Sequence, residues 1–243
     1  MVHVRQFFRA LLDVVLPPLC HICHSFIPNA GHLHICLSCL DRLPPVLSPL
    51  CPVCGIPFVG TGADHHCGAC LTQSPYFDIA RAPLLYEGPI RDLIHSFKYS
   101  HHTHLRYPLA LLTLEGLREF LTEQEPHTIV PVPLHRSRLR QRGFNQAVLL
   151  GRVLSHNLSV PMTPDLLVRT RRTEPQVELS AEKRRLNVKG AFSVKKPGLV
   201  VGKRVLLLDD VMTTGSTMDE CAKELKKAGA LSVIALTIAR TAR

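Results

Sequence analysis

Residues 205–217 read Val-Leu-Leu-Leu-Asp-Asp-Val-Met-Thr-Thr-Gly-Ser-Thr, and they constrain the fold more than any other stretch of the chain. Val205 to Leu208 form a short, continuous apolar run that suits a parallel strand buried on both faces. Asp209 and Asp210 then fall at its carboxyl end, where open α/β sheets bind their ligands. Paired carboxylates there accept hydrogen bonds from vicinal hydroxyls such as those of a ribose. Thr213, Thr214, Gly215, Ser216 and Thr217 follow at once. Gly215 permits a tight turn with converging N–H groups, the hydroxyls add donors, and a helix over 216–229 starts there with its positive dipole end toward the ligand. A monophosphate fits that cradle. A plain strand and capped helix would leave two adjacent acids at a buried strand end without a partner, which is costly.

The stretch resembles, position for position, the phosphoribosyl-pyrophosphate (PRPP) signature of type I phosphoribosyltransferases. The resemblance implies that Asp209 and Asp210 are the catalytic acids and hold the ribose 2′- and 3′-hydroxyls. It places Val211, Met212, Thr213, Thr214, Gly215, Ser216 and Thr217 at the PRPP site, with residues 213–217 around the 5′-phosphate.

Eight of the nine cysteines form four Cys-x-x-Cys pairs: Cys20/Cys23, Cys36/Cys39, Cys51/Cys54 and Cys67/Cys70. Each cysteine of the first half recurs 31 positions later, and twelve residues separate the inner cysteines of each half. This duplication reads as two tandem zinc ribbons, each knuckle supplying two thiolates to a tetrahedral ion. Cys20, Cys23, Cys36 and Cys39 are expected on one zinc and Cys51, Cys54, Cys67 and Cys70 on the other, although interleaved pairing satisfies the same spacings. Knuckle spacing and the lack of a secretory signal favour metal over disulfides. His21, His24, His65 and His66 flank the knuckles, where eight cysteines already complete two sites. Cys221 stands alone and reads as a small buried apolar residue.

A chain of 243 residues allows one small metal module and one α/β domain with its own core. The expected division is an amphipathic helix over 1–16, a double zinc ribbon over 17–75 and an α/β domain over 76–243. Val4, Phe7, Phe8, Leu11, Leu12 and Val15 lie at helical spacing before Pro17-Pro18, and no run reaches the length of a membrane span. Strands are expected at 77–86, 129–133 and 231–239, and helices at 89–99, 105–121 and 145–158. Strands alternating with helices imply a parallel sheet. Residues 160–200 lack a long apolar period and read as a lid or hood.

Between residues 134 and 195 there are thirteen Lys or Arg against four Asp or Glu, so this segment carries nearly all of the formal net charge of +10. Such a field attracts pyrophosphate or a phosphodiester chain. In residues 131–146 a strand runs into a basic loop that suits a pyrophosphate. Arg136 and Arg138 are candidate PRPP ligands, and Arg138, Arg140, Arg142, Arg184 and Arg185 are candidate nucleic-acid contacts. Lys98 stands within reach of pyrophosphate or on an exposed helix face. His95, His101, His102 and His104 are candidate bases by residue type only.

Cys51-Pro-Val-Cys-Gly55, Tyr86-Glu-Gly-Pro89, Phe97-Lys-Tyr99, Val132-Pro-Leu-His-Arg136, Arg142-Gly-Phe-Asn-Gln146, Arg184-x-x-Asn187 with Ala191-Phe192, and the PRPP signature occur in order along the chain. Together they resemble the ComF competence family, some relatives of which are labelled DNA-utilisation proteins. The resemblance implies a type I phosphoribosyltransferase fold preceded by a small double zinc-ribbon module, a cytoplasmic location, and a part in DNA uptake and natural transformation that involves single-stranded DNA and uptake machinery. It implies two structural zinc ions, and Mg²⁺ accompanying PRPP. If transfer occurs, the acids fix the ribose, the turn holds the 5′-phosphate, and Mg²⁺ with the arginines stabilises the departing pyrophosphate. Two other readings keep the fold without transfer: a PRPP-gated single-stranded-DNA-binding module, and a zinc-ribbon adaptor that recruits partners. The absence of Trp and the presence of only four Tyr supply few stacking platforms for the former.

Overall fold

The computed structural model describes residues 17–28, 30–171 and 181–242. The helix expected over 1–16 lies outside these residues, as does the 172–180 part of the expected hood. The chain divides into two compact units, Met1–Leu43 and Pro44–Arg243.

The sequence repeat is a structural repeat. An isolated bridge joins Leu19 to Phe26 in the first ribbon and Leu50 to Pro57 in the second. The knuckle bonds recur at the same offset: Cys20 N–H to Ser25 O and Cys51 N–H to Ile56 O, both at 2.8 Å. Short helices Leu37–Leu40 and Gly68–Thr72 complete the two copies. At equivalent knuckle positions His24 and Gly55 both take positive φ, 58° and 69°. The first ribbon thus accommodates a side chain in the left-handed conformation, whereas a Cβ on Gly55 would lie 2.5 Å from the Ala80 carbonyl oxygen. Glycine is required at 55 because the sheet approaches the knuckle there.

The second unit is built on parallel strands. Ile79–Arg81 (β1), Thr128–Pro131 (β3), Arg204–Leu208 (β6) and Ser232–Leu236 (β8) form a sheet in the order β1-β8-β6-β3. Leu84–Leu85 (β2), Val211–Met212 (β7) and Ala239–Arg240 (β9) form a second parallel sheet in the order β2-β9-β7. The two sheets are one set of strands bent at a common level. Arg81 pairs with Leu236 and Leu84 with Ala239, while Leu208 pairs with Leu236 and Val211 with Ala239, so register is kept across the bend. The bend accounts for the division of the strands expected over 77–86 and 231–239.

β6 lies inside the sheet between β3 and β8, so its apolar run is buried on both faces; Val205, Leu206 and Leu207 have no exposed surface. Helix Gln146–Leu158, capped by Asn145 Oδ1 accepting from Ala147 N–H at 2.9 Å, packs closely on β3 and β6. Helix Ser216–Lys227 buries Met218, Cys221, Ala222 and Leu225 and returns the chain to β8. The helix expected over 105–121 is two, Arg106–Gly116 and Arg118–Gln124, broken where Gly116 lies against Pro83 and Leu117 takes φ −132°. The arginines expected on a loop form a helix, Arg136–Arg142, with His135 Nδ1 accepting from Ser137 N–H and left-handed Gly143 ending it. The hood contributes an antiparallel hairpin, Leu167–Arg169 (β4) with Phe192–Val194 (β5), and helix Ala181–Val188 between them. Gly55→Ala is expected to lower stability by about 1–3 kcal/mol, read as a fall in Tm, because it combines a left-handed backbone with a backbone clash.

Candidate functional site

The bend in the strands places the acids. Asp209 and Asp210 occupy the bend between β6 and β7, where Asp209 N–H donates to Leu236 O at 3.1 Å and Ile238 N–H donates to Asp210 O at 3.0 Å. Both carboxylates are therefore fixed by a backbone bonded to the neighbouring strand. Val132 N–H donates to Leu208 O at 2.8 Å, which sets the segment leading to Arg136 beside them.

The two acids have different surroundings. Asp210 is 3% exposed, and its Oδ1 lies 2.9 Å from Lys98 Nζ. Its Oδ2 is buried without a hydrogen-bond partner. Lys98 comes from helix Gly88–Tyr99, whose buried face carries Ile90, Leu93, Ile94 and Phe97. Burial works to lower the Lys98 pKa, but the charge of Asp210 and the hydrogen bond to it outweigh burial and raise it. The lysine is thus neither exposed nor turned to solvent; it is the counter-ion of Asp210. Asp209 is half-buried, and its Oδ1 accepts the Asp210 N–H at 2.9 Å. Burial first, then the Asp210 charge, push its pKa up to about 7 against the opposing pull of Lys98, the Asp210 N–H and Arg169.

The Thr213–Thr217 turn follows directly. Gly215 takes φ 81°, a left-handed conformation that favours glycine, and Met212 Cε lies where a Cβ would point. Thr214 Oγ1 and Ser216 Oγ lie 2.8 Å apart, and Ser216 N–H approaches Thr214 Oγ1 only at 3.4 Å. Helix Ser216–Lys227 opens at this point, so its N-terminal dipole faces a turn of hydroxyls. Val211 and Met212, as strand β7, hold the turn through backbone pairing with β9.

The arginines separate into those turned outward and those held internally. Arg136 and Arg140 are exposed and Arg138 is half-buried. Arg142 donates to Gln146 Oε1 at 2.6 Å and stacks over Tyr99 at 5.0 Å, which ties its helix to two others. Arg185 donates to Gln73 Oε1. Arg184 lies on helix Ala181–Val188, and its side chain is outside the described residues. Arg169 was not singled out from the sequence. It sits on β4 with its guanidinium 5.2 Å from the Phe192 ring centroid; burial, and then the Arg138 charge, lower its pKa while Asp209 opposes them. Arg138, Arg169 and Asp209 therefore share one electrostatic field. The signal for Arg169 was its place in the basic surplus, but no local pattern distinguished it there. His95 pairs with Tyr99, His101 with Phe144, and His102 with His104, in ring contacts.

The cysteines form two sequential tetrads, Cys20/Cys23/Cys36/Cys39 and Cys51/Cys54/Cys67/Cys70, in each of which all four Sγ atoms lie within 4.8 Å of one another. Cys23 and Cys36 Sγ are 3.6 Å apart, and Cys54 and Cys67 Sγ 3.7 Å apart. A tetrahedral ion with Zn–S bonds of about 2.3 Å needs S···S edges of about 3.8 Å, so the donor sets fit zinc. Cys36 N–H to Cys20 Sγ at 3.4 Å and Cys67 N–H to Cys51 Sγ at 3.5 Å add the backbone donors that stabilise thiolates. His65 stacks on Phe58 with ring centroids 3.9 Å apart, and the tetrads consist of cysteines only. Cys221 is fully buried, and burial followed by the Asp209 charge raises its pKa well above that of a free thiol, which marks it as an inert packing group.

A double zinc ribbon domain model matches residues 11–71 and a phosphoribosyl transferase domain model matches residues 145–243. Fold, tetrads and these matches define a double zinc ribbon joined to a phosphoribosyltransferase domain. Three relatives extend the likeness. DNA utilization protein YhgH of Escherichia coli strain K12 is 40% identical over 159 residues, covering 64% of this chain and 69% of that one. Competence protein F of Haemophilus influenzae is 38% identical over 164 residues, with the same coverage of 64% and 69%. Competence protein ComFC of Streptococcus pneumoniae is 29% identical over 160 residues, covering 66% and 67%. The chain belongs to the ComF competence-protein family. Among solved structures, purine phosphoribosyltransferase from Pyrococcus horikoshii Ot3 superposes with a TM-score of 0.33 at 21% identity, over 51% of this chain and 67% of that one.

Two expectations follow. Metal analysis of the reduced chain should find two zinc ions, and their removal by chelation should lower Tm. Asp209 has a raised folded-state pKa, so the folded chain holds the extra proton between about pH 4 and 7. Stability therefore falls as pH rises through that window. Asp209→Asn should flatten this dependence and raise Tm at pH 8 by a few degrees, about 2–4 °C for each kcal/mol regained.

Proposed function

We propose that this chain binds PRPP at the bend of its parallel sheet and acts in the handling of DNA, as the names "DNA utilization protein" and "competence protein" state for its relatives. The observation that carries the reading is the junction of Asp209 with the left-handed Gly215 turn at the mouth of helix Ser216–Lys227. Asp209 accepts from the ribose hydroxyls, residues 213–217 surround the 5′-phosphate, and Arg136 and Arg138 meet the pyrophosphate, whose negative charge Mg²⁺ would help to neutralise. Asp210, already paired with Lys98, sets the position and charge of Asp209. In a transfer reaction the anomeric carbon becomes cationic as pyrophosphate leaves, and this chain's part is to hold the sugar and stabilise the leaving charge. The zinc ribbons are the structural module of a cytoplasmic protein, and the phosphoribosyltransferase domain is its working part.

Single-stranded DNA is the proposed polymeric partner, held by arginines of helix Arg136–Arg142. Arg136, Arg138 and Arg140 are the contacts best placed for it, because Arg142 and Arg185 have partners within the chain. Calorimetry with PRPP and Mg²⁺ tests the first half of the reading. Asp209→Asn should weaken binding about tenfold to a hundredfold, the loss of a charge-assisted hydrogen bond of about 1.5–3 kcal/mol. Binding equal to that of the parent, with the fold intact, would overturn it. Replacing Arg136, Arg138 and Arg140 by Ala should flatten the salt dependence of single-strand binding by about 0.7 log units per lost phosphate contact; an unchanged slope removes these arginines from the DNA site.

A further inference from the structure

Inside the second compact unit, hydrogen bonds tie the flanks of the phosphate turn to the second ribbon and to the chain that follows it. Arg240, 3% exposed on β9, donates from Nη1 to the carbonyl oxygen of Cys54, a tetrad residue. Its strand pairs with β7 (Met212 opposite Arg240), and Thr241 N–H donates to Met212 O at 3.0 Å. The residue after Met212 is Thr213, the first of the turn. The second link lies in the chain that follows the tetrad. Beyond Cys70, Gln73 accepts from Arg185, and Tyr76 N–H donates to Asp219 Oδ1 at 2.5 Å, in the first turn of helix Ser216–Lys227. One flank of residues 213–217 is thus linked through Arg240 to the tetrad itself, and the other through Asp219 to Tyr76 in the chain that follows Cys70.

We propose that the second zinc ribbon is a metal-dependent support that positions the phosphate turn, with Arg240 as the positioning residue between them; the inference deepens the PRPP reading and rests on it. A turn that grips a phosphate with hydroxyls and backbone N–H groups depends on sub-ångström placement. A ribbon of this size holds its knuckle conformation through the metal. Losing that conformation withdraws one acceptor, the Cys54 carbonyl, from a buried guanidinium, and the loss is felt on β9 and, through pairing, on β7.

The test uses the full chain and three readouts: metal content, amide hydrogen exchange and PRPP calorimetry. Cys67→Ser/Cys70→Ser is expected to keep one zinc, and Arg240→Gln to keep two. Both should exchange at least tenfold faster at residues 211–217 while 204–208 stay as protected as in the parent, and both should lose about tenfold in PRPP affinity. Arg240→Lys should recover part of the protection. Arg240→Gln with parental exchange at 211–217 would overturn the proposal, as would equal loosening of 204–208, which marks a general stability role. If the cysteine variant unfolds, Arg240→Gln decides; if that unfolds too, Arg240→Lys decides by the same exchange comparison. A parent chain that fails to bind PRPP sinks the functional reading, while the exchange comparison still decides the coupling.

Discussion

A carboxylate that is 3% exposed at the end of a buried strand must have a cation, and the Lys98–Asp210 pair supplies it. Removing one member of such a pair commonly costs about 3–5 kcal/mol, because the other is left charged and buried. The pair joins helix Gly88–Tyr99 to the bend of β6, and the amphipathic helix keeps Lys98 in place by burying Ile90, Leu93, Ile94 and Phe97 around it. Asp210 is satisfied on one oxygen, and the neighbouring Asp209 accepts the Asp210 backbone N–H. Its raised proton affinity follows from burial beside a like charge. Two adjacent acids that look equivalent in a sequence therefore have different surroundings, one buried against a lysine and the other half-buried beside it.

The bend itself extends the same logic to the sheet. Three strands break at one level and resume in register, so the backbone at the bend keeps its interstrand bonds while its side chains leave the sheet. The acids leave β6 there, and the continuation as β7 leads directly into the turn at residues 213–217. A helix N-terminus, a left-handed glycine and a carboxylate then converge without any of them lying on a long loop. The arginine helix at the end of β3 and Arg169 in the hood add positive charge around this anionic centre, and Arg142 anchors the helix that carries Arg136 and Arg138.

Much of this was legible in the chain. The four apolar residues before Asp209 allowed only a doubly buried strand, Gly215 announced the turn, and the 31-residue cysteine repeat fixed both tetrads up to the question of pairing. Helix Gly88–Tyr99 was readable from its apolar face. The exposed or ligand-facing role weighed for Lys98 was not settled by that face, since the position of its ammonium depends on which strand end the helix meets. Alternating arginines carry no apolar period, so no sequence pattern marks helix Arg136–Arg142; His135 and Gly143 cap it, and helix propensity of Arg, Leu and Gln completes it. The break at Leu117 needed knowledge of Pro83 packed against Gly116.

What the sequence determined by itself was local: strand and turn chemistry, ligand spacing and the sign of the field, because each depends on residues within a few positions of one another. What only the tertiary structure decided was which of these local pieces meet. Gly55 and His24 occupy the same knuckle position, yet only at 55 does the Ala80 carbonyl come within reach of a Cβ, so the demand for glycine is made by a strand 25 residues away. Arg240 finds Cys54, and Lys98 finds Asp210, across separations that no periodicity reports. Long-range partners are set by the packing of buried surfaces, and a one-dimensional pattern records that a surface is buried without recording against what.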